Sequence, residues 1–391
     1  DATANTAQRF RSPSGNTDAG SAVLDQNGAT TPGTTTVPDD STYTGLGLFV
    51  QDDWQINETW NLVGGLRVNR SAWDFTVTDD RPGFEWIAPG TTTTPLEVSE
   101  ADTGVTGSLR LGWQATPTVF GFAGLSQGYR SPSLSNLAGV QDRGSSSSGG
   151  SGPQVEGNIA LESEKSLTTE VGTRWVDDRD TASINLFVTQ LQDLIQVQYV
   201  DVNNDGIIDG TNDRAQMVNA ESGILYGFEI AHDLAIPLGD WLDPTVWRPA
   251  LVQSTSYVRG EADVSDPTLA GGTSTQNISK ANLFFGKAGL RLSHVNGWWG
   301  MFQARYQAGY DDVTDGDAGD TRHTTFAAKD GPAGAMPGFV VWDALVGYAD
   351  PRGKYQATAG FENLFDHSYR PVGSGTDGAG FNAVLSLQTV F

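Results

Sequence analysis

The chain is 391 residues long and strongly acidic, with 47 Asp and Glu against 23 Lys and Arg and a formal charge of −24. That balance speaks against nucleic acid as a partner, because phosphate contacts need clustered cations, and the absence of Cys excludes disulfide frameworks, thiolate zinc sites and Fe–S clusters. No run of about 18 apolar residues occurs, so no transmembrane helix is expected, and any signal peptide is expected to be removed or to lie outside the sequence.

Apolar residues, Gly not counted, make up a modest 38% of the chain. Yet 11 Trp, 10 Tyr and 17 Phe argue against disorder. A membrane β-barrel reconciles the two, since only every second strand residue faces lipid while the lumen is polar.

In chain order, residues 1–43 are rich in Thr, Ser, Gly and Asp, lack alternation, and are expected to form a polar extracellular loop region. From 44 onward the pattern has period two. Leu62, Leu66 and Val68 alternate with Asn61, Arg67 and Asn69; Leu109, Leu111 and Trp113 alternate with Ser108, Arg110 and Gly112; Ile184, Leu186 and Val188 alternate with Ser183, Asn185 and Thr189. Thirteen such segments are expected, at about 44–54, 59–75, 104–115, 118–129, 165–177, 181–199, 216–235, 246–260, 281–294, 298–310, 338–349, 353–365 and 380–391. Many reach the roughly 9–11 residues of a tilted membrane strand.

Short turns (55–58, 116–117, 178–180, 295–297, 350–353) alternate with long polar loops, the pattern of outer-membrane barrels. Trp54, Trp60, Trp113, Trp175, Trp247 and Trp298 fall near the short-turn side, as an interfacial aromatic girdle requires. These features disfavour a soluble β-sandwich or repeat protein. Arg67, Arg110, Glu170, Arg174 and Glu229 lie on polar strand faces and are expected to point into the lumen, because a central Arg or Lys facing lipid costs about 2–4 kcal/mol. A single-chain barrel normally has an even strand number, so thirteen strands suggest the C-terminal part of a larger barrel.

Three further patterns bear on chemistry. Gly124-Leu125-Ser126-Gln127-Gly128 matches a nucleophile elbow, but Tyr-Arg-Ser-Pro follows instead of an amphipathic helix, so no enzyme is expected. Asp201, Asn203, Asp205, the Ile207 carbonyl and Asp209 match a calcium loop with Gly206 at its sharp turn. Asn212 stands where the closing Glu belongs and Asp213 follows, so a candidate Ca2+ site and a solvated acidic hairpin tip both remain open. Of the four His, His323 lies in a long outer loop and is a candidate ligand contact. No cofactor is required.

Several stretches, taken together, resemble the barrel of TonB-dependent outer-membrane receptors. They are Gly47-Leu48-Phe49-Val50-Gln51-Asp52-Asp53-Trp54 with Leu62-Val63-Gly64-Gly65-Leu66-Arg67, Gln127-Gly128-Tyr129-Arg130-Ser131-Pro132, Glu164-Lys165-Ser166 through Glu170-Val171-Gly172, Gly227-Phe228-Glu229, and Glu362-Asn363-Leu364-Phe365-Asp366 with Tyr369. A terminal Phe391 is what barrel-insertion machinery reads in this family.

The resemblance implies an all-β, antiparallel transmembrane β-barrel with long extracellular loops, this chain holding roughly the last thirteen of about 22 strands. Residues 44–391 would be barrel, with the plug domain absent from this chain. It further implies integral outer-membrane localisation against lipid and lipopolysaccharide, and uptake of a bulky scarce ligand such as a ferric siderophore or other metal chelate. Energy would come from the TonB-ExbB-ExbD system through the plug. Tyr129-Arg130-Ser131-Pro132 also resembles the Phe-Arg-Ala-Pro of haem receptors, with Asn158-Ile159-Ala160-Leu161 in place of their Asn-Pro-Asn-Leu, although no His lies between 133 and 157. Tyr129 and Arg130 are therefore candidate ligand contacts beside His323. The alternative is a plugless porin-like or adhesive barrel.

Overall fold

The structure is a computed structural model that describes residues 8–9, 23–24, 30–31, 37–38, 41–77, 95–141, 155–200, 214–237, 239, 241–266, 272–314, 334–374 and 376–389. Thirteen long strands form its wall: β1 (Thr42–Gln55), β2 (Trp60–Val77), β3 (Leu96–Thr116), β4 (Val119–Arg130), β5 (Glu164–Val176), β6 (Thr181–Val200), β7 (Arg214–Ala235), β8 (Trp247–Asp266), β9 (Leu283–His294), β10 (Trp298–Gln307), β11 (Phe339–Ala349), β12 (Tyr355–Glu362) and β13 (Asn382–Thr389). Each expected segment coincides with one of them. Every wall strand pairs antiparallel with the next in chain order, giving the all-β barrel wall the alternation predicts. Turns of a few residues and long connections alternate along it, as expected. The terminal Phe391 lies outside the described residues.

Alternation assigns the two faces. Leu109, Leu125, Val171, Leu186, Leu290 and Val346 form one apolar, solvent-exposed face, and the register keeps them in one band from strand to strand. Exposed aliphatics in such a band mark a surface built for hydrocarbon rather than water. Aromatic pairs close the band at the short-turn end: Trp60 stacks on Trp113 at 5.8 Å, and Trp298 meets Tyr348 edge-on at 5.1 Å. The girdle is thus a cross-strand arrangement. The opposite face carries Arg67, Arg110, Glu170, Arg174 and Glu229, the placement expected of a lumen.

Three features exceed the sequence expectation. The strands β2 and β3 extend past the expected segments, pairing up to Val77 with Leu96, so the loop between them is shorter than 76–103. In the polar N-terminal region, Gln8–Arg9 pairs with the start of β1. Among the described residues one short helix, α1 (Leu134–Ala138), begins at Ser133, whose hydroxyl accepts the Asn136 amide while the Asn136 side chain accepts the Ser133 amide. That capping box, with Pro132 before it, carries the helix through a stretch without helical periodicity.

Above the apolar band the apolar residues change sides. On β2 the outward set Leu62, Leu66 and Val68 gives way to inward Trp73, Phe75 and Val77, and on β6 outward Ile184, Leu186 and Val188 give way to inward Ile195. Lipid ends there, and what the strands can still bury lies inside. The inward residues meet Leu134, Leu137 and Ala138 of α1, Val155, and Met217 of β7 in the main hydrophobic cluster. The following segment Val155–Glu156 adds to β7 in parallel. A connection between β4 and β5 therefore turns into the mouth of the barrel instead of standing in solvent.

Candidate functional site

The strand ends β4 and β5 carry the residues that anchor this inward connection. Arg130, last residue of β4, forms a two-point ion pair with Glu164, first residue of β5. Glu164 also accepts the Ile195 amide at 2.7 Å, so the pair closes the base of the connection and ties it to β6. Tyr129 donates to Asp102 at 2.7 Å, and Ser163 donates to the same carboxyl oxygen. Its ring lies over Gly104, where a Cβ would strike it. Burial pushes the Asp102 carboxyl up, but the Ser163 and Tyr129 hydroxyls, the Thr103 amide and the nearby Lys165 outweigh that and hold it below its ordinary 3.8. Tyr43, Ser71 and Ser131 share a second hydroxyl cluster at 2.7–3.0 Å.

The bonds from Tyr129 and Ser163 to Asp102 bridge a split in the wall. The register between β3 and β4 runs only as far as Ser108 with Ser126. Beyond it β3 follows β2 and β4 follows β5, and the gap opens as a concavity of about 730 Å³. Tyr129 and Asp102 line it, with Lys165, Gln127, Gln190 and Gln192.

Deeper in the lumen, Arg110 stacks its guanidinium 3.8 Å from the centroid of Phe122. Arg110, Glu170, Arg174, Asn185 and Glu229 surround a concavity of about 560 Å³. None of its four charged groups makes an ion pair among the described residues, and Asn185 Oδ1 is buried without a donor. The wall here carries two cations and two anions without an ion pair among the described residues.

On the far side of the lumen Arg305 and Asp343 are paired. Asp343 of β11, 2% exposed, accepts Arg305 Nε at 2.7 Å, Arg305 Nη2 at 3.0 Å, Gln303 at 3.2 Å and the Asn363 amide at 3.0 Å. Asn363 sits in the left-handed region at φ 48°, and its side-chain amide donates to the His367 and Ala379 carbonyls at 2.8 and 3.0 Å. Tyr369 accepts from Arg305 at 3.3 Å and packs 4.6 Å from Phe339. The Asn-Leu-Phe-Asp stretch with its Tyr is thus the fastening of the last long connection.

Of the expected site residues, the structure places Tyr129 at the split in the wall and Arg130 beside it, paired with Glu164 of β5. His323 and the whole loop from Asp201 to Asp213 lie outside the described residues, and among the described residues no group of three or more His, Asp or Glu is placed to hold a metal. The sequence reading missed Asp102, Ser163, Arg305 and Asp343. Arg305 and Asp343 sit at the lumen-facing parity of β10 and β11, the same signal that selected Arg110.

Residues 2–364 match the family described as TonB dependent receptor-like, beta-barrel. Solved structures share the fold. The copper transporter OprC aligns over 90% of this chain and 48% of its own at 17% identity and a TM-score of 0.61. The hemophore receptor HasR of Serratia marcescens, solved with its hemophore HasA and heme, aligns over 91% and 52% at 14% identity and TM-score 0.60. The ferric-catecholate import receptor Fiu of E. coli K12 aligns over 90% and 45% at 18% identity and TM-score 0.54. The chain spans about half the length of these structures. No curated protein matches it by sequence. With the match running through nearly every wall strand, the chain belongs to the TonB-dependent receptor β-barrel family.

Proposed function

We propose that this chain is the wall of an outer-membrane receptor that imports a bulky metal chelate, a ferric siderophore or haem, with energy from the TonB-ExbB-ExbD system. The observation that carries the reading is the lumen wall of β3–β7, where Arg110, Arg174, Glu170 and Glu229 have no ion-pair partners among the described residues. A passive pore needs only water there. A receptor needs a plug that docks against the wall and can be released, and unpaired charges of both signs suit a releasable dock. Tyr129 and Arg130 serve in this reading by positioning the inward connection at the outer mouth, where cargo arrives, and the outer wall meets lipid and lipopolysaccharide.

Uptake by cells tests it. Cells expressing the receptor are supplied with a ferric catecholate or haem, each at limiting concentration, with and without TonB. Saturable accumulation of one of them, abolished in cells without TonB, is expected. Accumulation of equal rate in cells without TonB, or steady ion conductance of the purified protein in planar bilayers, would replace this reading with the plugless pore.

A further inference from the structure

We propose that the lumen face of β8–β11, beneath the last connection, holds a binding site for an aromatic carboxylate, or the carboxylate-bearing aromatic portion of a larger cargo. The site is a concavity of about 340 Å³ in which Lys287, Arg305 and Gln307 meet Phe285, Phe339 and Tyr369. Its size falls within the roughly 300–1,000 Å³ of small-molecule pockets.

The charges decide what it binds. Lys287 stands directly opposite Arg305 in the β9–β10 ladder. Like charges in that position repel unless each is neutralised. Arg305 is neutralised by Asp343 and fixed in addition by the Tyr369 hydroxyl. Lys287 has no hydrogen bond or ion pair among the described residues. Two residues beyond Arg305 on the same face, the Gln307 Nε2 is buried and has no acceptor. Buried donors are almost always satisfied in native proteins. The pocket thus presents an unpaired ammonium and an unpaired amide N–H, and no carboxylate lines it; the nearby Asp343, bound to Arg305, already accepts from four donors. It lacks an acceptor, not a cation.

The rings define the rest of the ligand. Phe339 and Tyr369 lie 4.6 Å apart between centroids, and Phe285 pairs with Gln307 across the ladder. A small inorganic anion would satisfy the donors and leave these rings wet. A flat apolar body bearing a carboxylate satisfies both.

This deepens the import reading and rests on it for the source of the ligand, but the binding step is measured without transport. The probe is naphthalene-2-carboxylate, compared with the neutral naphthalene-2-methanol, by calorimetry on the full-length receptor in detergent. The wild-type receptor is expected to bind the carboxylate about tenfold more tightly than the alcohol, the scale of a hydrogen bond to a charged group. In Lys287→Met the two ligands bind alike. Gln307→Leu weakens the carboxylate by about threefold, and Lys354→Met, in a short turn, behaves as wild type. Heat-modifiable gel mobility reports folding of each variant, and Lys287→Gln replaces the Met variant if that fails to assemble. Absence of binding by the wild type, equal binding of both ligands, or a carboxylate preference that survives loss of the Lys287 charge overturns the proposal. Loss of TonB-dependent uptake as a property, with this preference intact, would instead overturn the import reading alone.

Discussion

Among the described residues, two long connections turn into the lumen, and different physics holds their middles. The one between β4 and β5 is tied by polar contacts at its ends, but its middle is held by apolar burial: Leu137 and Ala138 of α1 are fully buried in one cluster with Trp73, Phe75 and Met217. The one between β12 and β13 is anchored by a polar knot in which Arg305, Asp343, Asn363 and Tyr369 satisfy one another. Apolar packing is non-directional and tolerates small shifts. A polar knot fixes each member, because a partner removed leaves a buried group unsatisfied. The first design suits a cap that settles over the mouth; the second suits a wall that must keep its donors aimed.

Leu137→Ala should produce the largest effect. Truncating a fully buried leucine costs about 2–5 kcal/mol, here in the cluster that packs α1 against β2 and β7. Hydrogen exchange should show the amides of 134–138 losing protection while the wall strands keep theirs. If the wall loses protection equally, the cap is part of the barrel's cooperative unit and the contrast between the two connections is wrong.

Asp343→Asn follows. Breaking a buried pair costs about 3–5 kcal/mol, and Arg305 retains about a third of its side-chain exposure, so about 2 kcal/mol is expected. Unfolding in urea should register it, and the amides of 363–381 should exchange faster. Added salt should leave the Leu137→Ala effect unchanged and reduce this one. Ser133→Ala, which removes the cap of α1, should cost about 1 kcal/mol and loosen the same helix as Leu137→Ala to a smaller degree.

Most of the wall was legible because lipid enforces a strict rule: an apolar residue at every second position on the outer face, over a band of fixed height. That rule located all thirteen strands and selected Arg110, Glu170 and Glu229 as lumen residues. It stopped being informative where the band ends. Above it, Trp73, Phe75 and Val77 still alternate but face inward; the expected segment 59–75 reaches Phe75, whereas the partner β3 begins at Leu96, well before the expected 104. What covers them is α1, five residues long, set by a local capping box and by burial. The polar contacts were hidden for a different reason. Tyr129 and Asp102 are 27 residues apart, Arg305 and Asp343 are 38 apart, and spacing of that length carries no periodic signal. Strand parity restricts such partners to one face, and only the register brings two of them level.

The smallest expected effect tests the polar ties at the mouth. The Asp102 carboxyl is held below its ordinary value of 3.8 by Ser163, Tyr129, the Thr103 amide and Lys165 acting against burial. A carboxyl with a lowered folded value binds fewer protons folded than unfolded, so its contribution is present above about pH 4 and is lost as pH falls through the folded value. Acidification from about pH 5 to about pH 3 should therefore raise exchange at the ends of β3 and β4, where Tyr129 and Asp102 bridge the split. In Asp102→Asn, exchange there should already be raised at neutral pH and should change less over the same interval. Apolar packing of α1 carries no such charge, so Leu137→Ala should leave the pH dependence at the split in place. Were the two variants to share one pH profile, the cap and the split would be a single device, closed by burial and not by the carboxylate.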